Sequence, residues 1–238
     1  MLSRCPKCQY ASLPQKQDFP AECPGCGVIL AKIGAVPASL PVIEPMEVRA
    51  EEPPTPVDPL LLGMRAVLWA GFAYWGWVLM RLDVAYGEIV RSFIHRPLLI
   101  FHEAGHVVFI PLGEWMTVAG GSLAQLLMPV VMGVALWRAN RDAFGVSLAL
   151  WLFGVSLLDL APYVYDAMDL QLMLLGGRTG EDSFHDWLYL LRTMGLRERA
   201  WGIGMGVHKA GCAIVVAANA WGLWLLWRQW RQWRRRAE

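Results

Sequence analysis

After Leu60 the sequence repeatedly offers runs of about twenty mostly apolar residues, and no other feature restricts its folding as strongly. Residues 60–82, 116–137, 143–161 and 207–227 are such runs. At about 1.5 Å of helix rise per residue, each is long enough to cross or nearly cross a hydrocarbon layer ~30 Å thick. Residues 97–112 form a further apolar stretch, but sixteen residues reach only about 24 Å, so a half-spanning or re-entrant helix packed inside a bundle is expected there. The whole chain is 56% hydrophobic and 17% charged, too apolar for an ordinary soluble domain. Its formal net charge of +1 gives no basic excess of the kind that phosphate-backbone binding needs, so no nucleic-acid partner is expected.

The first 59 residues have a different character. Cys5-Pro-Lys-Cys8 and Cys23-Pro-Gly-Cys26 are two C-x-x-C knuckles, and this spacing predicts a structural zinc ribbon over 1–34. Met1 to Tyr10 contain no apolar run of the signal-peptide kind, which favours four thiolates in a reducing compartment over a disulfide pair. A closed four-thiolate site leaves no open coordination position, so the ribbon is read as a structural module or as a dock for a cytosolic protein partner. Seven prolines interleaved with Glu44, Glu47, Glu51, Glu52 and Asp58 then predict a stiff acidic linker over 35–59.

The expected architecture is therefore an all-α polytopic membrane bundle over 60–230, with about four spans and one half-spanning helix. A basic cytoplasmic tail, 231–238, follows. Arg138 and Arg141 between spans and Arg228, Arg231, Arg234, Arg235 and Arg236 at the end prefer the cytoplasm, and a four-span plan returns both groups to the ribbon's side. Trp221, Trp224, Trp227, Trp230 and Trp233 beside those arginines read as an interfacial belt against the lipid bilayer. A multi-pass protein of a bacterial inner membrane, with ribbon and C-terminus cytoplasmic, is the expected address.

The chemistry is concentrated in His102-Glu103-Ala104-Gly105-His106, an H-E-x-x-H sequence inside the short apolar stretch. On a helix the two histidines at i and i+4 share one face and can share one Zn²⁺, while Glu103 can take a proton from an attacking water and return it to a leaving amine. Three ionisable groups within five residues at membrane depth are costly unless a partner such as a metal compensates them.

H-E-x-x-H in an apolar segment, followed by Gly120-Gly121 and by later spans carrying an acidic residue, resembles the site-two-protease-like intramembrane zinc metallopeptidases over roughly residues 60–227. The resemblance implies a zinc ion held by His102, His106 and a distant Asp, Glu103 as catalyst, and membrane-protein or peptide substrates. That Asp belongs to a Leu-Asp-Gly motif in the family. Its nearest counterpart here is Leu158-Asp159-Leu160, without the Gly, which makes Asp159 the first choice and His185 the alternative. Asp166 or Asp186 would orient a ligand histidine from behind it, and Gln125 would hydrogen-bond a substrate carbonyl. His95 reads as a surface residue. Two other readings stand beside this one. One is a non-catalytic membrane adaptor that uses the ribbon to bind its partner. The other is a prenyl-peptide type membrane metalloprotease, for which only Glu181 and Glu198 offer a third ligand.

Overall fold

The computed structural model describes residues 2–34 and 57–237, and the chain divides into two compact units, Met1–Thr55 and Pro56–Glu238. The Pro-rich linker expected over 35–59 lies outside the described residues as far as position 56.

The N-terminal unit has very little apolar material. Buried Cys5, Cys23 and Leu30 pack with Leu13, Cys26 and Val28, followed by the short helix α1 (Leu30–Gly34). The two knuckles fold back so that the Cys5 and Cys26 sulfurs are 3.8 Å apart and those of Cys8 and Cys23 3.7 Å apart. Thiolates about 2.3 Å from one zinc at tetrahedral corners stand about 3.8 Å from each other, whereas a disulfide needs about 2.05 Å. The four sulfurs thus form a group that can hold one metal ion. Gly27 takes a left-handed φ of 69°, which lets the second knuckle turn back at its end.

The second unit is helical among its described residues: α2 (Pro59–Met80), α3 (His95–Phe109), α4 (Glu114–Asn140), α5 (Ala143–Tyr165), α6 (Asp186–Thr193) and α7 (Ala200–Ala237). Asp58 caps α2 by accepting from the Leu60 amide, with Pro59 in the first turn where its missing N–H costs nothing. Three helical stretches, Glu114–Asn140, Ala143–Tyr165 and Arg197–Arg236, are long and apolar enough to cross a membrane. Helix α2, at 22 residues, is also long enough but is not one of these three. Large apolar side chains such as Val67, Ile100, Val108, Val131 and Val216 point outward, which suits helices facing lipid and not water.

Small residues set how the helices meet. Helices α5 and α7 run antiparallel, with Gly154 against Gly211 and Val215, and Gly204 against Tyr165. Helix α2 joins them through Gly76, which lies against Trp151 and Val215. Around these contacts lies the main core of Leu79, Ile89, Ile94, Leu98, Trp151, Val155, Leu158 and Val215. Helix α3 runs antiparallel to α4, and its N-terminal end is buried in that core through Ile94 and Leu98. At 15 residues it is shorter than its neighbours, as the short apolar stretch predicts. Arg231 and Arg234 to Arg236 continue α7 instead of forming a separate tail, and Arg228, Arg231 and Arg234 each stack on a tryptophan one turn earlier.

Candidate metal centre

The H-E-x-x-H sequence lies on α3 with His102 and Gly105 facing α4. What brings the two helices close is the absence of side chains: a Cβ on Gly105 would run into the Gly120 carbonyl oxygen, and one on Gly120 would stand 2.7 Å from Cβ of Phe109. One residue further along α4, Gly121 faces both imidazoles, and a Cβ there would be 2.6 Å from Nε2 of His102 and 2.6 Å from Nε2 of His106. The Gly-Gly pair therefore divides its work. Gly120 lets the backbones touch, and Gly121 leaves open the space into which both Nε2 atoms point.

The third member arrives from 84 residues after His102 in the chain. Asp186 is the first residue of α6, and its Oδ2 lies 3.0 Å from His102 Nε2 and 3.2 Å from His106 Nε2. Ligand atoms at about 2.0–2.1 Å from one zinc in tetrahedral positions would be about 3.3 Å apart, so these separations suit three corners around one ion. His102, His106 and Asp186 form a group that can hold a metal, with all three ligand atoms within 4.8 Å of one another.

The far sides of the rings decide what the near sides offer. His106 Nδ1 is 2.9 Å from the Thr117 carbonyl oxygen, to which it can only donate. His102 Nδ1 is 3.1 Å from Gln125 Oε1 and donates to it. With both Nδ1 protons engaged, neutral imidazoles present bare lone pairs at Nε2, facing a carboxylate that is itself only an acceptor. Three acceptors converge and none can satisfy another. Only a cation or an added proton on an imidazole resolves this, and a zinc ion fits the donor set of two nitrogens and one oxygen.

Asp186 is held in place by its neighbours. Its amide donates to the Tyr163 hydroxyl at 3.0 Å, and the His185 ring packs on Tyr163 with centroids 4.4 Å apart. His185 Nδ1 accepts from the Leu188 amide and so caps α6, while its Nε2 lies 3.3 Å from Asp166 Oδ2. The other Asp166 oxygen accepts from the amides of Gln171 and Leu172. Trp187 Nε1 donates to Ser122, tying α6 across α4.

Set against the sequence expectations, the structure brings His102 and His106 together and joins Asp186 to them, not Asp159 or His185. Asp186, expected behind a ligand, stands at the imidazole nitrogens. His185 is turned away by its capping bond. Asp159 is buried on α5 but paired with His95 Nδ1 at 2.9 Å and with Gln125 Nε2 at 3.0 Å. His95 is accordingly half-buried and hydrogen-bonded to Asp159, not a surface residue. Gln125 is fully engaged between His102 and Asp159 and has no free amide for a substrate. Glu103 is exposed beside His102. Gly121, which the resemblance singles out together with Gly120, belongs to the centre because it faces both imidazoles. The Thr117 carbonyl belongs to it as well, and a backbone oxygen leaves no compositional trace.

No protein-family model matches the sequence, and no curated protein and no solved structure is significantly similar to it.

Proposed function

We propose that this chain is a zinc-dependent endopeptidase of the membrane that hydrolyses peptide bonds of membrane-associated protein substrates. The observation that carries the reading is the convergence of His102 Nε2, His106 Nε2 and Asp186 Oδ2 within 4.8 Å of one another, one residue from Glu103. His102, His106 and Asp186 would hold the ion, taking the third ligand away from Asp159. Three protein ligands with one position left open is the arrangement of a hydrolytic zinc and not of a structural one. Zinc bound there supplies a Lewis acid to polarise a scissile carbonyl and to make water acidic enough to attack near neutral pH. Glu103 receives the proton of the attacking water and delivers it to the leaving amine. The cradle over Gly121 keeps the reacting space clear of protein carbon. Tyr163, His185 and Asp166 orient Asp186 without touching the substrate.

In this plan the three long apolar helices and α2 make four crossings, and α3 is the half-spanning helix that carries the motif. The ribbon is a structural zinc module on the cytoplasmic side, where it docks a protein partner. The test counts metal and cleavage together. The full chain in detergent should hold two zinc ions, and Glu103→Gln should keep both ions and the fold while losing cleavage of a quenched-fluorescent library of apolar helical peptides. Undiminished cleavage by that variant would refute the reading. A zinc count that falls to zero when Cys5, Cys8, Cys23 and Cys26 are replaced by serine would favour the non-catalytic adaptor.

A further inference from the structure

We infer that Asp159 is a positioning residue that fixes which nitrogen of His102 carries the proton, acting through the amide of Gln125. The inference rests on the reading of His102, His106 and Asp186 as zinc ligands and adds the device that prepares one of them.

Donors and acceptors must pair off along a buried chain of side chains from His95 to His102. Asp159 is 5% exposed and Gln125 3% exposed, so neither exchanges partners with bulk water. The amide of Gln125 has one face that only accepts and one that only donates, and by itself it could take either orientation. Asp159 removes the choice. Its Oδ2 can only accept, so the Gln125 NH₂ must turn towards it, at 3.0 Å, with the Ser156 carbonyl oxygen as a second acceptor 3.5 Å away. The amide oxygen is then obliged to face His102, 3.1 Å from Nδ1, and that nitrogen must carry the hydrogen. The proton therefore sits at Nδ1 and the lone pair at Nε2, the atom that faces His106 and Asp186. With the amide reversed, its NH₂ would need an acceptor at Nδ1, and the imidazole proton would occupy Nε2, where the metal has to bind. The chain ends at His95, whose Nδ1 donates to the other Asp159 oxygen at 2.9 Å and balances the buried carboxylate. Partners behind ligand histidines typically change metal affinity by about 10–100-fold when lost, and here a charged residue two hydrogen bonds from the ion sets the direction of every bond between.

The donor count also supplies its own rescue. Asp159→Asn introduces an NH₂ that can reverse the Gln125 amide, whereas adding Gln125→Glu gives that NH₂ a carboxylate oxygen to donate to and keeps an acceptor against His102. Zinc affinities of the full chain, measured by competition with a fluorescent chelator, use the ribbon ion as an internal standard. Asp159→Asn should weaken the second zinc by roughly 10–100-fold without moving the ribbon ion, and the double variant should recover most of that loss. Unchanged affinity in the single variant would overturn the inference. So would a double variant as weak as the single one, the result expected if Asp159 were itself a ligand or mere packing. Nitrogen NMR of the zinc-free wild-type chain at alkaline pH needs no variant. It should find His102 protonated at Nδ1, and a proton at Nε2 would overturn the inference. A wild-type chain that holds only the ribbon zinc refutes the peptidase reading, a different failure from an Asp159 that proves indifferent.

Discussion

Replacing Gly121 by alanine adds one methyl group, and the structure fixes where it lands. An ideal Cβ at 121 stands 2.6 Å from Nε2 of both His102 and His106, and 2.7 Å from Cε1 of His106. Uncrowded carbon contacts begin near 3.5 Å, so each ring would have to retreat by roughly 0.9 Å. Neither ring is free to do so, because His102 is tethered at Nδ1 to Gln125 and His106 to the Thr117 carbonyl. Metal–ligand distances tolerate only about 0.2 Å of error, so the displacement exceeds what coordination allows several-fold. The methyl also fills the space in which the ion would sit. The cost to the fold is partly offset, since alanine is favoured over glycine in a helix by about 1 kcal/mol while overpacking costs about 1–3 kcal/mol. The expected phenotype is therefore selective: a folded chain whose zinc count drops from two to one and whose second-site affinity falls by at least about 100-fold, beyond the usual loss of a supporting partner. Equilibrium dialysis against zinc buffers, followed by elemental analysis of the detergent-solubilised protein, reads this directly. An alanine variant that binds two zinc ions with wild-type affinity would refute the reasoning, because no packing of these two rings around a methyl leaves room for the ion.

Gly120→Ala should behave in the opposite way. Its methyl meets Phe109 and the Gly105 carbonyl, so helix packing suffers first, with a net loss of up to about 2 kcal/mol read as a lower thermal midpoint at unchanged zinc stoichiometry. Asp186→Ala should abolish the second zinc. His185→Ala should retain it with weakened affinity, losing the helix cap, a contribution of about 1 kcal/mol, as elemental analysis and chelator titration would reveal. Chelation of the ribbon ion should make 2–34 protease-sensitive while far-UV circular dichroism of α2–α7 hardly changes, because the ribbon core is little more than Cys5, Cys23 and Leu30.

The parts of this protein that are local in sequence were legible in it. The apolar runs coincide with α2, α4, α5 and α7, the short run with α3, and the cysteine spacing with four sulfurs at metal-ligand separations. These follow from helix length and from knuckle geometry, both properties of a few adjacent residues. The helix ends were less legible: α7 runs on to Ala237, because the arginines that look like a solvent tail extend the helix by stacking on its own tryptophans. The partner of the two histidines could not be read by the same means. Asp159 and Asp186 are equally good oxygen donors, and the choice between them depends on Gln125 and His95 engaging one while Tyr163, Asp166 and His185 aim the other. A signal was present in His185-Asp186-Trp187 at the start of an amphipathic segment, where an acidic residue at a helix N-terminus is held at a defined position. His95 looked like a boundary residue because nothing near it in sequence shows that α3 begins inside the bundle.

The 84-residue separation between His102 and Asp186 has a thermodynamic consequence. A cation shared by them closes a long loop through α4 and α5, and the entropy of closing a loop grows only logarithmically with its length. One ion would therefore clamp the crossover between α5 and α7 onto the start of the bundle for little more than the cost of a short tether. When the ion leaves, this crossover and α6 should be the first part of the bundle to open, ahead of the glycine-packed α5–α7 pair. Hydrogen exchange in the zinc-free chain should accordingly accelerate across 166–199 before it does so in α5 or α7.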